Sequence, residues 1–327
     1  MIRKPTDALP PKKFAVVVYG LPSQGKTTLA LSAPKPLHID TDKGIDRINP
    51  IHRAPYIQPE TYQEILDDLK GDLSDYETIV IDTGGTLFDY MADWVLKRNP
   101  KAGRGNGELG LRGFGEVASE FKRFTDMIRR TLNKHIVIIF HAKEDKNDDR
   151  STWRPDIQGS TKNEIWKPID LGGFMQSSGG KRTISFNAMN DGYLAKGNRT
   201  VNDVREIPEL VRGRANDFLT MIFKQLEEAE AEYTAELEKY HAVMERVKGI
   251  LEQVEDVDTA NAARESIKNL EHVFSSKDEA GKMFQDVAKA KGLRFDRVSH
   301  LVNHIVGGQI QRCIYGAASN DVVHQMG

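Results

Sequence analysis

Four apolar runs mark the first 140 positions: 14–19 (FAVVVY), 37–39 (LHI), 78–81 (TIVI) and 136–140 (IVIIF). Apart from His38 in the second, they do not alternate apolar with polar residues. Continuous runs are the pattern of strands buried on both faces of a parallel sheet. Between them, 61–69, 87–96 and 117–132 space their apolar residues three or four apart, which predicts helices. Strands alternating with helices predict βαβ units. A further strand is expected at 182–186, after Gly179 and Gly180. Beyond about 216 the strand signal stops. Leu226, Ala229, Tyr233, Leu237, Tyr240, Met244, Val247, Leu251 and Val254 step by three or four, heptad-like from Leu237 onward. Helices are also expected near 259–273, 277–291 and 295–314, with Asp258 and Ser276 as N-caps of the first two. In the last, Val298, Leu301, Val302, Ile305 and Ile310 share one helical face. The expectation is an N-terminal tail (1–13), an α/β core with a mainly parallel sheet flanked by helices (14–215), and an all-helical appendage (216–327).

Composition narrows the class. A chain of 327 residues suggests about two domains. No run approaches about 18 apolar residues, so no spanning helix and no membrane partner are expected. The first 14 residues are rich in Pro and Lys and lack the apolar stretch of a secretory signal. One cysteine, Cys313, excludes an internal disulfide framework and a multi-cysteine zinc site. A soluble, cytoplasmic protein is expected. The net charge of −2, from 46 basic and 48 acidic residues, shows no global basic excess. It is a sum of opposites. Residues 97–134 hold ten Lys or Arg against four acids (+6), and residues 225–258 hold eleven acids against three basic residues (−8).

The clearest chemical signal is Gly20-Leu-Pro-Ser-Gln-Gly25-Lys26-Thr27, which fits G-x-x-x-x-G-K-[ST] directly after an apolar strand. Glycines let the backbone curl so that successive N–H groups face phosphate oxygens. Lys26 supplies a positive charge to the β- and γ-phosphates, and Thr27 offers a hydroxyl to Mg²⁺. Gly20, Ser23, Gln24, Gly25, Lys26, Thr27 and Thr28 are the expected nucleotide contacts, with ATP and Mg²⁺ as cofactors. The run ending in Asp82 has the Walker B form, an acid at a strand's carboxyl end that can orient the magnesium's water shell. Thr27 and Asp82 are therefore the expected metal residues. The strand ending LHIDTD puts Asp40 and Asp42 beside the loop, and either could polarise the attacking water. His141, at the end of the fourth run, could donate to a γ-phosphate oxygen and report hydrolysis to the next loop.

Taken in order, GLPSQGKTT, LHIDTD, TIVIDTGGTL and IVIIFHAKED resemble the ATPase core of RecA-type recombinases, and Ala195-Lys-Gly-Asn-Arg199 resembles the Ala-Lys-x-Arg segment near the end of the core of a related phage family. The four motifs resemble more closely that family, the phage nucleotide-binding ATPases known as RecA-like single-strand annealing proteins. The resemblance covers about 12–205. It implies a RecA-like P-loop NTPase core. It assigns Asp42 to the position of the catalytic glutamate, one methylene shorter here, and Asp82 to the Walker B acid. Thr83 matches the small hydroxyl that follows this acid. His141 falls at or beside the polar switch residue. Two loops, about 99–115 and 142–165, correspond to those that bind single-stranded DNA. Lys181, Lys196 and Arg199 are candidates for basic residues placed across the nucleotide of a neighbouring subunit.

The residues themselves add support for nucleic acid. Six glycines between 103 and 115, with Arg104, Arg112 and Phe114, suit close approach to a phosphate chain and stacking on a base. In 143–162, Trp153 lies between Arg150 and Arg154, although five acids offset the basic residues there. The leading expectation is an ATP-dependent phage recombination protein that multimerises on single-stranded DNA as a filament or ring, and that meets a phage or host replication or recombination protein. Two alternatives are a P-loop kinase with 142–165 as its lid, and a nucleotide-switched adaptor docking a replication or packaging partner through its helical tail.

Overall fold

The computed structural model describes residues 12–104, 107–147, 150–157, 161–187, 192–211, 213–296, 301–306 and 309–310. The chain divides into two compact units, Pro10–Ala229 and Glu230–Gly327. The larger unit runs β1 (Ala15–Gly20), α1 (Lys26–Ala30), β2 (Pro36–Asp40), β3 (Tyr56–Ile57), α2 (Tyr62–Asp68), β4 (Thr78–Asp82), α3 (Gly84–Arg98) and α4 (Leu111–Asp126). It continues with β5 (His135–Asn147), β6 (Arg150–Pro155), α5 (Thr161–Glu164), β7 (Leu171–Ser178), β8 (Lys181–Ser185) and β9 (Val204–Ile207). The division of units falls inside α6 (Phe218–Glu252), where the sequence placed its boundary near 215.

The sheet order is β3-β2-β4-β5-β1-β7-β8-β9. Strands β3 through β7 in that order are parallel, and β8 and β9 close the edge antiparallel. The apolar runs become strands because both faces of the sheet are covered. Val17, Tyr19, Ile39, Ile81 and Ile138 face one layer with Leu87 and Met91 of α3 and Phe121 and Phe124 of α4. Val16, Val18, Val80 and Val137 face the other, with Leu29 and Ala30 of α1 and Leu219, Phe223 and Leu226 of α6. The first turns of α6 are thus part of the α/β core. Ser32, just after α1, receives Leu219 N on its hydroxyl at 2.9 Å and the Thr220 hydroxyl on its carbonyl at 2.8 Å.

At the amino ends of the strands the polar groups are closed on one another. Asp170 accepts from Ala15 N at 2.9 Å and from Arg129 Nη2 at 2.8 Å. A π-helical turn over Met127–Thr131 presents Arg129, which also reaches the Lys13 and Pro168 carbonyls. His135 Nδ1 accepts from Phe14 N at 3.0 Å, and its ring stacks against both Phe14 and Phe223, whose rings also stack on each other.

In the smaller unit, Val243, Val247 and Leu251 of α6 pack with Ala260, Ala263 and Ile267 of α7 (Val257–Lys268) and Ala280, Phe284 and Ala288 of α8 (Ser276–Ala290). The heptad-like seam therefore serves local packing. Asp256, rather than Asp258, caps α7, in a capping box with Thr259. Ser275 holds the N-cap position of α8, and Ser276 opens the helix. The segment expected as a last helix differs: β10 (Leu293–Asp296), β11 (Leu301–Val306) and β12 (Gln309–Ile310) form a small antiparallel sheet. The spacing of its apolar residues is helical, but the β-branched Val302, Ile305, Val306 and Ile310 favour the strand. Among the described residues no helix is long and apolar enough to cross a membrane.

Candidate active site

The carboxyl ends of β1, β2 and β4 bring the chemistry together. The chain leaves β1 at Gly20 and turns back to α1 within five residues, with Ser23 at φ 62° and Gly25 at φ 85°. A Cβ on Gly20 would lie 2.7 Å from Gln24 Oε1 and from the Met175 carbonyl oxygen, so a larger residue would open the loop. At Gly25 the left-handed backbone already favours glycine. There a Cβ would also meet Arg182 Nη1 at 2.7 Å, so the Arg182 guanidinium lies directly against the phosphate loop.

Lys26 opens α1 and is buried, its Nζ donating to the Leu21 carbonyl at 2.8 Å. Burial lowers its pKa, and the nearby Asp82 carboxylate works against that shift. Thr27 Oγ1 donates to Asp82 Oδ2 at 2.6 Å, across the intervening β5. A hydroxyl and a carboxylate in contact are two hard oxygen donors. They suit Mg²⁺, which takes few protein ligands and completes its shell with waters and phosphate oxygens. The residues present fit Mg·nucleotide.

Asp40 and Asp42 have different roles. Asp40 is buried and saturated: Gly44 N at 2.9 Å, Ile45 N at 3.0 Å and Gln58 Nε2 at 2.8 Å all donate to it. It organises the turn after β2. Asp42 is exposed, with Oδ1 held by the Thr83 hydroxyl at 3.2 Å and the Thr86 hydroxyl at 2.5 Å. Thr83 follows a cis peptide bond from Asp82, and its carbonyl accepts from the Thr41 hydroxyl. Asp42 N in turn donates to the Asp82 carbonyl at 3.2 Å. Asp42 is thus fixed beside Asp82 through its backbone N–H and Oδ1, while the residue stays exposed. Asp89, on α3, has its pKa raised by burial and then by Asp93 and Asp42.

His141 is exposed and pairs in register with Gly20. It is not the end of its strand. β5 runs on to Asn147 and turns into β6 as an antiparallel hairpin. The described part of 142–165 is therefore a hairpin and a short helix where a loop was expected. The hairpin accounts for three of its five acids: Asp145 holds Arg154 at 2.7 Å and Lys162 at 3.4 Å, Glu144 pairs with Lys146 at 3.3 Å, and Asp156 with Lys143 at 3.6 Å. Asp148 and Asp149 lie outside the described residues.

Arg154 is largely buried in its ion pair, and Trp153 is half-buried with its ring stacked on Phe174. The Arg150 side chain lies outside the described residues. In the other stretch α4 begins at Leu111, so Arg112 and Phe114 are helical and the loop is shorter than expected. Arg104 and Arg112 are exposed, Arg112 pairing with Glu116 at 3.2 Å, and Phe114 is half-buried. Lys196 is half-buried and donates to the Trp166 carbonyl at 2.7 Å. Burial lowers its pKa. Lys181 is exposed and pairs with Glu206 at 3.0 Å, and Arg199 is exposed.

Sequence reasoning missed Arg182, Thr86 and His38. Arg182 sits just past a Gly-Gly turn, Thr86 ends a Thr-Gly-Gly-Thr run, and His38 is the only polar residue inside the apolar run before Asp40. The His38 signal was visible, since a lone polar residue in a buried strand needs a partner.

Residues 12–200 match the AAA domain family. The chain belongs to that family. Its AAA domain takes in every strand-end motif described above and stops short of β9 and α6. With this phosphate loop it is a P-loop ATPase domain. No curated protein is similar to the chain at a significant level. The crystal structure of the flagellar accessory protein FlaH from Methanocaldococcus jannaschii shares 13% identity at a TM-score of 0.32, over 61% of this chain and 91% of that one. At that level the likeness bears on neither mechanism nor partners of the AAA domain.

Proposed function

We propose that the protein is a RecA-like phage recombination ATPase, which binds single-stranded DNA and uses Mg·ATP to change its hold on it, in annealing or strand exchange. The observation that carries the hydrolytic part is the arrangement of Thr27, Asp82 and Asp42 around one end of the sheet. Lys26 and the loop N–H groups would hold the β- and γ-phosphates. Thr27 and Asp82 would hold Mg²⁺, which when bound neutralises charge on the phosphates. The Asp42 carboxylate would accept a hydrogen bond from the attacking water and orient it in line with the γ-phosphate. The surface proposed for DNA rests on the +6 stretch, with Arg104 and Arg112 exposed within it.

The test is the ATPase rate with and without single-stranded DNA, for the native chain and Asp42→Asn. Stimulation by DNA, with turnover cut at least about tenfold in Asp42→Asn while nucleotide affinity holds, is the expected result. Turnover indifferent to DNA would remove the recombinase reading and leave the nucleotide-switched adaptor. Phosphate appearing on an added small-molecule acceptor would establish the kinase.

A further inference from the structure

His38 lies on β2, paired in register with Val80 on β4 and Tyr56 on β3. It is 0% exposed, and neither Nδ1 nor Nε2 has a hydrogen-bond partner. Its neighbours along the strand, Leu37 and Ile39, are buried apolar residues, and Val80 beside it is too. An aliphatic side chain would satisfy the packing at this position. A buried ring with two orphaned nitrogens is disfavoured there unless something completes it. Nε2 is 3.6 Å from Asp82 Oδ2, just beyond hydrogen-bonding reach. That oxygen is the one that accepts from Thr27.

We propose that His38 is the positioning residue of Asp82, donating from Nε2 to Oδ2 and fixing the carboxylate in the orientation that serves the metal. The proposal rests on the reading of this end of the sheet as a Mg·nucleotide site. A movement of about 0.6 Å closes the gap to about 3.0 Å. Thr27 and His38 would then hold one oxygen from two sides, leaving Oδ1 free of both. A group behind a metal-binding carboxylate typically changes metal affinity by about 10–100-fold without touching the metal. His38 does this through a single N–H, so its contribution should appear in the magnesium requirement and not in nucleotide binding itself.

The experiment uses the full chain and a fluorescent ATP analogue, titrated in EDTA and then against Mg²⁺ at fixed nucleotide, with thermal melting alongside. His38→Leu keeps the packing and removes the donor. His38→Gln places an amide nitrogen near the Nε2 position. The expected result is unchanged affinity in EDTA for both variants. The Mg²⁺ concentration for half-saturation should rise about tenfold or more in His38→Leu and return to within about threefold of native in His38→Gln. A native magnesium requirement in a folded His38→Leu protein would overturn the proposal, as would a His38→Gln protein as impaired as His38→Leu. If His38→Leu does not fold, His38→Asn replaces it, since its amide stops short of Asp82. Equal magnesium requirements for Asn and Gln would then refute the assignment. A native chain that binds no nucleotide in either condition would overturn the reading of the site and the His38 role with it.

Discussion

The two ends of the parallel sheet are built from the same strands and treat their polar groups in opposite ways. At the amino ends, Asp170, Arg129, His135 and the Lys13 and Pro168 carbonyls form a closed set. At the carboxyl ends, His38 has two orphaned nitrogens, Gln24 Oε1 is buried without a partner, and Lys26 spends its ammonium on one carbonyl. A buried polar group left unpaired costs about 1–3 kcal/mol. The closed end is what stability alone produces. The open end retains buried polar groups left without a partner.

Mutations should separate the ends by kind of effect. The largest is expected at the open end: Lys26→Ala should lower phosphate release by at least about a hundredfold. Its melting temperature should stay level or rise, because a buried cation with few partners is removed. A comparable loss of melting temperature would erase the distinction between the ends.

At the closed end, Asp170→Asn strands the Arg129 guanidinium, whose side chain is 12% exposed. Breaking one partner of such a pair costs about 3 kcal/mol, or about 6–12 °C in melting temperature for a unit of this size. The magnesium requirement of the surviving folded protein should not move, and a shift in it would show the two ends to be coupled.

Acid should act on the closed end next. His135 has its pKa lowered to about 4, chiefly by burial and then by Lys13. Its Nδ1 is already occupied as an acceptor. Between the unfolded value of about 6.5 and the folded value of about 4, the unfolded chain binds the extra proton, so stability falls as pH falls through that window and is complete above it. The contribution is on the order of 2–3 kcal/mol, read from denaturant midpoints at pH 7 and pH 4.5. His135→Gln should flatten that slope.

The smallest effect is expected from Arg182→Ala. Removing a cation that rests on the phosphate loop should weaken ATP binding about three- to tenfold, with little effect on the melting temperature. Unchanged affinity would show that Arg182 only covers Gly25.

The strands that carry the site were legible because β1, β2, β4 and the first part of β5 are continuous apolar runs, and burial on both faces demands that pattern. The phosphate loop, Asp82 and Asp42 follow from their places at the ends of those runs. β7 was not legible although it lies beside β1 in the centre of the sheet. Its Gly172 and Gly173 weaken any strand signal, and the reason for them is tertiary: a Cβ on Gly172 would meet the Trp166 ring at 2.1 Å. The acids of the β5–β6 hairpin were misleading for a similar reason. Glu144, Asp145 and Asp156 have cross-strand or local cations as partners, and a linear reading cannot pair them. Asp40 and Asp42 look alike in sequence. Only the fold shows that one is used up by backbone N–H groups and the other stays exposed, held by two threonines.

The first three turns of α6 have a practical consequence for dissecting the protein. A fragment ended at 215, where composition changes, would lose Leu219, Ile222, Phe223 and Leu226, all buried against β-strand residues of the ATPase layer. It would uncover the stack on His135 and take the two bonds from Ser32 at the end of α1. Such a piece should aggregate or bind nucleotide poorly for reasons unrelated to catalysis. A piece ended at 229 keeps these residues, and is the shorter protein in which the enzymology can be measured.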